Sequence, residues 1–201
     1  FKTDGTPQTS DGTEIAWTKS IPAAAFTGAN SGDGYRFELQ TEAVDRTESV
    51  NGGPNTEVLY ATSTFLMDLS TPTAAIQQPP HLSYFRTRSS LSGTAVDPVA
   101  GGNIPSGLVS MEYELTDTDA NPPRYWDFNN LKWQLGYISS VTAPSANWTT
   151  TAVPLNAPAG NNSWAVGRSS ATFLLRTKFT DRSGNYSGFN VNYSTFTLDM
   201  I

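Results

Sequence analysis

The sequence predicts an all-β protein of two antiparallel β-sandwich modules in tandem, the first incomplete (residues 1–72) and the second complete (73–201). Three observations predict it. The first is an internal repeat. YRFELQTEAVDR at 35–46 aligns without a gap with ATFLLRTKFTDR at 171–182, at an offset of 136, sharing Phe37/Phe173, Leu39/Leu175, Thr41/Thr177, Asp45/Asp181 and Arg46/Arg182. STFLMD at 63–68 then matches STFTLD at 194–199, and Trp17-Thr18 matches Trp148-Thr149, both at an offset of 131. Matches in the same order mark a repeated structural unit. The second observation is composition: 16 Gly and 13 Pro punctuate a chain that still carries 5 Trp, 8 Tyr and 10 Phe, which suits short strands and many turns rather than disorder. The third is periodicity, since apolar and polar residues alternate over short runs and no stretch carries a helical period.

The elements follow in order. Residues 1–13 carry almost nothing apolar and read as a loop or tail; 15–17 and 21–26 bring the first apolar residues. NSGDG at 30–34 is a turn cluster, because these residues tolerate positive φ. From Tyr35 the alternation predicts a strand with one buried and one wet face, and after a loop at 47–55 the run 58–69 returns as its antiparallel partner. STPT at 70–73 is the module boundary, and AAIQQPP at 74–80 reads as a stiff extended link, since prolines cannot join a central ladder. Strands are expected at 84–88 and 91–97, then a Gly/Pro loop at 98–107. The run 108–115 alternates strictly, placing Val109, Met111, Tyr113 and Leu115 on one face and Glu112 and Glu114 on the wet one. Tyr125-Trp126 and 131–133 form strands around an Asn129-Asn130 turn; 148–153, Trp164, 171–182 and 189–200 complete the module. Seven to nine short strands with turns every 8–12 residues are the pattern of a sandwich. The first module holds counterparts only of the second from Trp148 onward. Half a sandwich exposes an apolar face and open edges, so its missing strands are expected from upstream sequence or from another chain.

Composition also excludes partners. A net charge of −6 argues against nucleic acid and anionic membrane surfaces, and no run of 18 apolar residues spans a bilayer. The absence of cysteine fits a bacterial or archaeal extracellular module large enough to stand without disulfides. No signal peptide is visible at Phe1, which is expected of a chain whose leader has been removed or which continues upstream.

The runs LSGTAVD at 91–97, SGLVSMEYEL at 106–115, Tyr125-Trp126, Trp133 and LRTKFTDRSGN at 175–185 resemble, in this order, the immunoglobulin-like repeats of large bacterial surface proteins and adhesins. The resemblance covers 76–201 well and 15–69 only as the last part of a preceding repeat, where DRTES at 45–49 lacks the Gly-Asn of Gly184 and Asn185. It implies tandem immunoglobulin-like antiparallel sandwiches and a secreted or surface-exposed spacer, stalk or filament component.

Candidate sites are sparse. His81 is the only histidine and, with no cysteine, leaves almost no material for zinc or a Ser-His-Asp triad, so it reads as a linker residue. Asp117, Asp119 and Asn121 space like the start of a calcium loop, but Pro122-Pro123 stands where such a loop wants Gly, which favours an acidic surface loop. Asp45 and Asp181 offer a cation ligand or, more simply, an Asp that bonds the backbone of its own turn. Glu112 and Glu114 offer a glycosidase pair or a solubilising wet face. Trp126, Trp133, Trp148 and Trp164 offer a sugar-stacking platform or core filling. Asn147, Asn161, Asn185 and Asn192 head glycosylation sequons, about as many as chance supplies. No catalytic, cofactor or metal residue is assigned. The expectation is a non-enzymatic extracellular structural protein, a surface stalk, filament or sheath component without cofactor, whose partners are neighbouring modules or copies of itself. The alternative is an adhesin or carbohydrate-binding module that uses exposed aromatics on surface glycans.

Overall fold

Alternation of apolar and polar residues gives strands, and among the described residues it gives fourteen of them and no helix. The computed structural model describes residues 20, 33–42, 44–48, 54–56, 61–98, 104–151, 153, 155 and 169–199. The chain divides into two compact units, Phe1–Gly32 and Asp33–Ile201, and every described strand lies in the second. Trp17, Trp164 and Asn161 lie outside the described residues.

Strands β1 (Tyr35–Thr41) and β4 (Ala61–Met67) pair antiparallel as the alternation predicts. The long connection between them is more ordered than a loop: β2 (Val44–Glu48) and β3 (Pro54–Thr56) form a small antiparallel sheet of their own. Phe37 lies opposite Phe65, their rings stacked at 5.3 Å. The expected burial of one face is not met, because Tyr35, Leu39 and Phe65 are each about two-fifths exposed. No second layer covers this hairpin among the described residues.

The larger part of the unit carries two further sheets. One has three strands, ordered β12-β7-β5: β5 (Thr73–Gln78), β7 (Leu91–Val96) and β12 (Asn147–Thr150), all antiparallel. Residues 74–78 are therefore a strand and not a free link. β5 lies at the sheet edge, and Pro72 and Pro79 fall just outside it, so no ladder bond is lost. The other sheet has seven strands. Its main path runs β10-β9-β8-β13-β14-β6, with β11 on the same edge of β8 as β9. The ranges are β6 (Ser83–Phe85), β8 (Leu108–Asp117), β9 (Arg124–Asp127), β10 (Lys132–Gln134), β11 (Ser140–Thr142), β13 (Ser170–Asp181) and β14 (Tyr193–Asp199). All pairs are antiparallel except β14 with β6. β9 and β10 fold back around Asn129 and Asn130 as the sequence predicts, whereas β11 carries no signal long enough to predict.

Both sheets feed one apolar core. Leu91 and Ala95 of β7 and Trp148 of β12 cluster with Met111 and Leu115 of β8, Phe173, Leu175 and Phe179 of β13, and Phe196 and Leu198 of β14, all at most 5% exposed. Burial of each large side chain contributes about 1.5–3 kcal/mol. Gly93 of β7 lies between Ala75 and the indole of Trp148, where no side chain fits.

The repeat reappears in three dimensions. Phe173 lies opposite Phe196, with rings stacked at 5.6 Å, just as Phe37 lies opposite Phe65. Every β13–β14 pair from Ala171↔Leu198 to Arg176↔Tyr193 has its counterpart from Tyr35↔Met67 to Gln40↔Thr62 under the same two offsets. The same hairpin is built twice, once buried and once exposed.

Candidate functional site

Three aspartates end three different strands and meet. Asp68 follows β4, Asp97 follows β7, and Asp181 closes β13. Their carboxylates each bring an oxygen to within 4.8 Å of the other two, and the residues are 4%, 8% and 1% exposed. It is the one such cluster of acidic or histidine side chains among the described residues.

Backbone turns hold each carboxylate. Asp181 accepts from the Asn185 backbone N–H (2.8 Å) and from Asn185 Nδ2 (2.8 Å), bonding its own turn as the sequence suggests. That turn passes through Gly184 at φ 90°, a conformation open to glycine. Asp97 Oδ2 accepts from the Gly107 N–H (2.6 Å) and, more weakly, from Ser106 Oγ (3.4 Å). Asp68 Oδ1 accepts from the Ser70 N–H (3.0 Å) and Oδ2 from the Ser106 N–H (2.7 Å), while its carbonyl accepts from Asn185 Nδ2 (2.9 Å). Asp33 adds a fourth buried carboxylate nearby, accepting from the Leu69 N–H and Ser70 Oγ. The residues 68–70 that follow β4 are thus tied to Ser106 and Asn185 of the larger sheets.

The charge balance is unusual. Among the described residues no lysine or arginine pairs with any of the three carboxylates. Oδ1 of Asp97 is buried and accepts no hydrogen bond. Burial, and then the neighbouring carboxylates of Asp68 and Asp181, push the Asp97 carboxyl above its ordinary value, against the opposing hydrogen bond from Gly107. Two unit charges at this spacing repel by roughly 3 kcal/mol at an effective dielectric of about 20. The cluster is a set of hard oxygen donors with an excess of negative charge.

Several other candidates among the described residues make structural contacts. Asp117 is fully buried, and its Oδ1 accepts from the backbone N–H groups of Asp119 and Ala120; Asp119 Oδ2 accepts from the Thr172 N–H, and Asn121 is exposed. Asp117 and Asp119 therefore fasten a turn to β13. His81 Nδ1 accepts from the Thr195 N–H and its ring lies edge-on to Tyr193, pinning the start of β6 against β14. Asp45 lies in β2, whose side chains are outside the described residues. Trp126 and Trp148 are core residues and Trp133 packs against that core. Asn185 uses its amide on Asp68 and Asp181, Asn192 is 9% exposed, and Asn147 is exposed.

Glu114 corrects the expectation of a wet face. It is fully buried, and Arg176, directly across from it on β13, grips it through Nε (3.1 Å) and Nη2 (2.6 and 2.8 Å). Thr116 Oγ1 donates to it as well, at 2.8 Å. Glu112 pairs with Lys178 at 3.4 Å and accepts from Ser139 Oγ. Ser139 and Phe189, whose ring lies 5.6 Å from the Arg176 guanidinium, lie against the outer face of β8 and β13. A charged row that alternation assigns to water becomes an ion-pair ladder with Glu114 buried and its other members partly exposed. Both carboxylates are thus paired with basic side chains of β13.

No known protein family matches the chain, nor does any curated protein.

Proposed function

We propose that the chain is a non-enzymatic structural protein of the cell exterior, built of tandem immunoglobulin-like modules and serving as a stalk, filament or sheath component. The observation that carries this reading is the hairpin built twice in one register, with its stacked phenylalanine pair. A hairpin that ends a complete module in one copy ends a preceding module in the other. The order β12-β7-β5 against β9-β8-β13-β14 supports the immunoglobulin-like assignment, since it follows the E-B-A and C′-C-F-G arrangement of such sandwiches. Modules of this kind work by holding shape and spacing. The exposed apolar residues Tyr35, Leu39 and Phe65 of the β1–β4 hairpin support packing against a neighbouring module or a second copy. For the adhesin alternative, Trp126 and Trp148 are buried, and the exposed aromatics among the described residues include Tyr84 and Tyr186.

Immunogold labelling and rotary-shadowing electron microscopy of the native protein test the proposal. Labelled surface-attached rods or filaments are expected; a compact cytoplasmic particle would refute it.

A further inference from the structure

We propose that Asp68, Asp97 and Asp181 form a calcium site that fastens the end of the β1–β4 hairpin to the larger sheets. The carboxylates come from three strand ends and offer oxygens within 4.8 Å of one another. Oxygens on opposite sides of one Ca²⁺ are about 5 Å apart at most, given Ca²⁺–O distances of about 2.3–2.6 Å, so the spacing suits one shared ion with a small inward shift of the carboxylates. Asp97 supplies an independent sign: its residue is 8% exposed, yet Oδ1 accepts no hydrogen bond while Oδ2 is held by Gly107. A buried carboxylate oxygen without a donor is a group that needs a partner. No basic side chain among the described residues pairs with the cluster, so a cation from solution is the partner that fits its charge.

The donor set narrows the choice of ion. Three carboxylates with no histidine or cysteine select a hard cation over zinc or copper. The supporting hydrogen bonds from Ser70, Ser106, Gly107 and Asn185 fix the carboxylates before the ion arrives. The consequence is mechanical. Asp68 ends the hairpin, whereas Asp97 and Asp181 belong to the two sheets of the core, so one ion crosslinks all three. Asp199 ends β14 at the place in the repeat that Asp68 holds after β4, so in an array each terminal strand would present one aspartate to the next module. The binding site itself stands whether or not the modular reading holds.

Calcium titration of the EDTA-treated full chain by isothermal calorimetry tests the proposal, with Mg²⁺ titrated alongside. One Ca²⁺ per chain is expected to bind, in the range of about 10⁻⁴–10⁻³ M or tighter typical of extracellular modules. At about 100-fold excess over the dissociation constant the melting temperature should rise by about 5–10 °C. D68N, D97N and D181N, each nearly isosteric, should weaken binding at least tenfold, while D119N leaves it unchanged. Hydrogen exchange provides a readout that survives any loss of stability: amides at 69–71 and 106–107 should gain protection with Ca²⁺ in the native chain and not in D97N. No saturable heat up to about 10 mM Ca²⁺, Mg²⁺ binding of equal strength, or full binding retained in D68N would each overturn it.

Discussion

Gly93→Ala would be among the most damaging single-methyl additions the protein can receive. A Cβ at this position overlaps the carbonyl oxygen of Ala75 and stands 2.5 and 2.7 Å from Cζ2 and Cε2 of Trp148. Against an ordinary contact of 3.4 Å, the indole alone would have to retreat by about 0.9 Å. It has nowhere to go: Trp148 is 5% exposed and packs in the same cluster as Leu91 and Phe173. On the other side the obstacle is the backbone of the neighbouring strand, since Ile76 lies opposite Gly93 in the β5–β7 ladder. Overpacking costs about 1–3 kcal/mol where side chains can adjust, and a backbone obstacle places this case at about 3 kcal/mol or above. The reduced freedom of the unfolded chain returns only about 0.4–1 kcal/mol. Urea denaturation followed by tryptophan fluorescence measures the difference, with Gly136→Ala as control, because nothing lies within 4 Å of a Cβ there. The control should change stability by less than about 1 kcal/mol. A Gly93→Ala protein as stable as the control would refute the packing of β5, β7 and Trp148.

Arg176→Met should cost about 3–5 kcal/mol by leaving Glu114 buried without its partner, and adding Glu114→Leu should recover most of it; denaturant midpoints that stay low in the double variant would contradict the ion-pair ladder. Hydrogen bonds from the side chain and then the backbone of Asn130 hold the Asp127 carboxyl below its ordinary value. Its contribution is therefore present above the unfolded value of about 3.9 and lost as pH falls through the lower folded value. A carboxyl titration by NMR should find Asp127 ionising below that value, and an ordinary or raised midpoint would break the assignment of the 127–130 turn. Phe173→Ala should cost about 3–5 kcal/mol, whereas Phe37→Ala, at the equivalent place in the exposed hairpin, should cost less than about 1.5. Equal costs in thermal melts would mean that the first hairpin is as buried as the second.

The hairpins are legible in the sequence because alternation and identical residues act together: Phe37, Phe65, Phe173 and Phe196 announce both strands and their register. Prolines obscure β5, because Pro72 and Pro79 look the same beside an edge strand as in a linker. Glu114 is misread for a related reason. Alternation tells which residues share a face, but only the fold tells that Glu114 is buried on this outer face beneath Arg176, against which Phe189 packs. The carboxylate cluster is the least legible feature. Asp181 is recognisable as a turn-bonding residue and fulfils that role. Asp68 and Asp97 lie 113 and 84 residues before it, each looking like an ordinary polar stop after a strand. Their convergence is a property of topology: β7 and β13 belong to different sheets, and β4 ends between them.

Tandem modules make one mechanical prediction that other architectures do not share. The repeat offset of 131–136 residues corresponds to roughly 45 nm of extended chain at about 3.4 Å per residue, or about 40 nm once the folded length is subtracted. Single-molecule stretching of the native full-length protein should therefore show unfolding events spaced evenly at about 40 nm. Irregular spacing, or a single event with no repeat of that length, would contradict the tandem architecture.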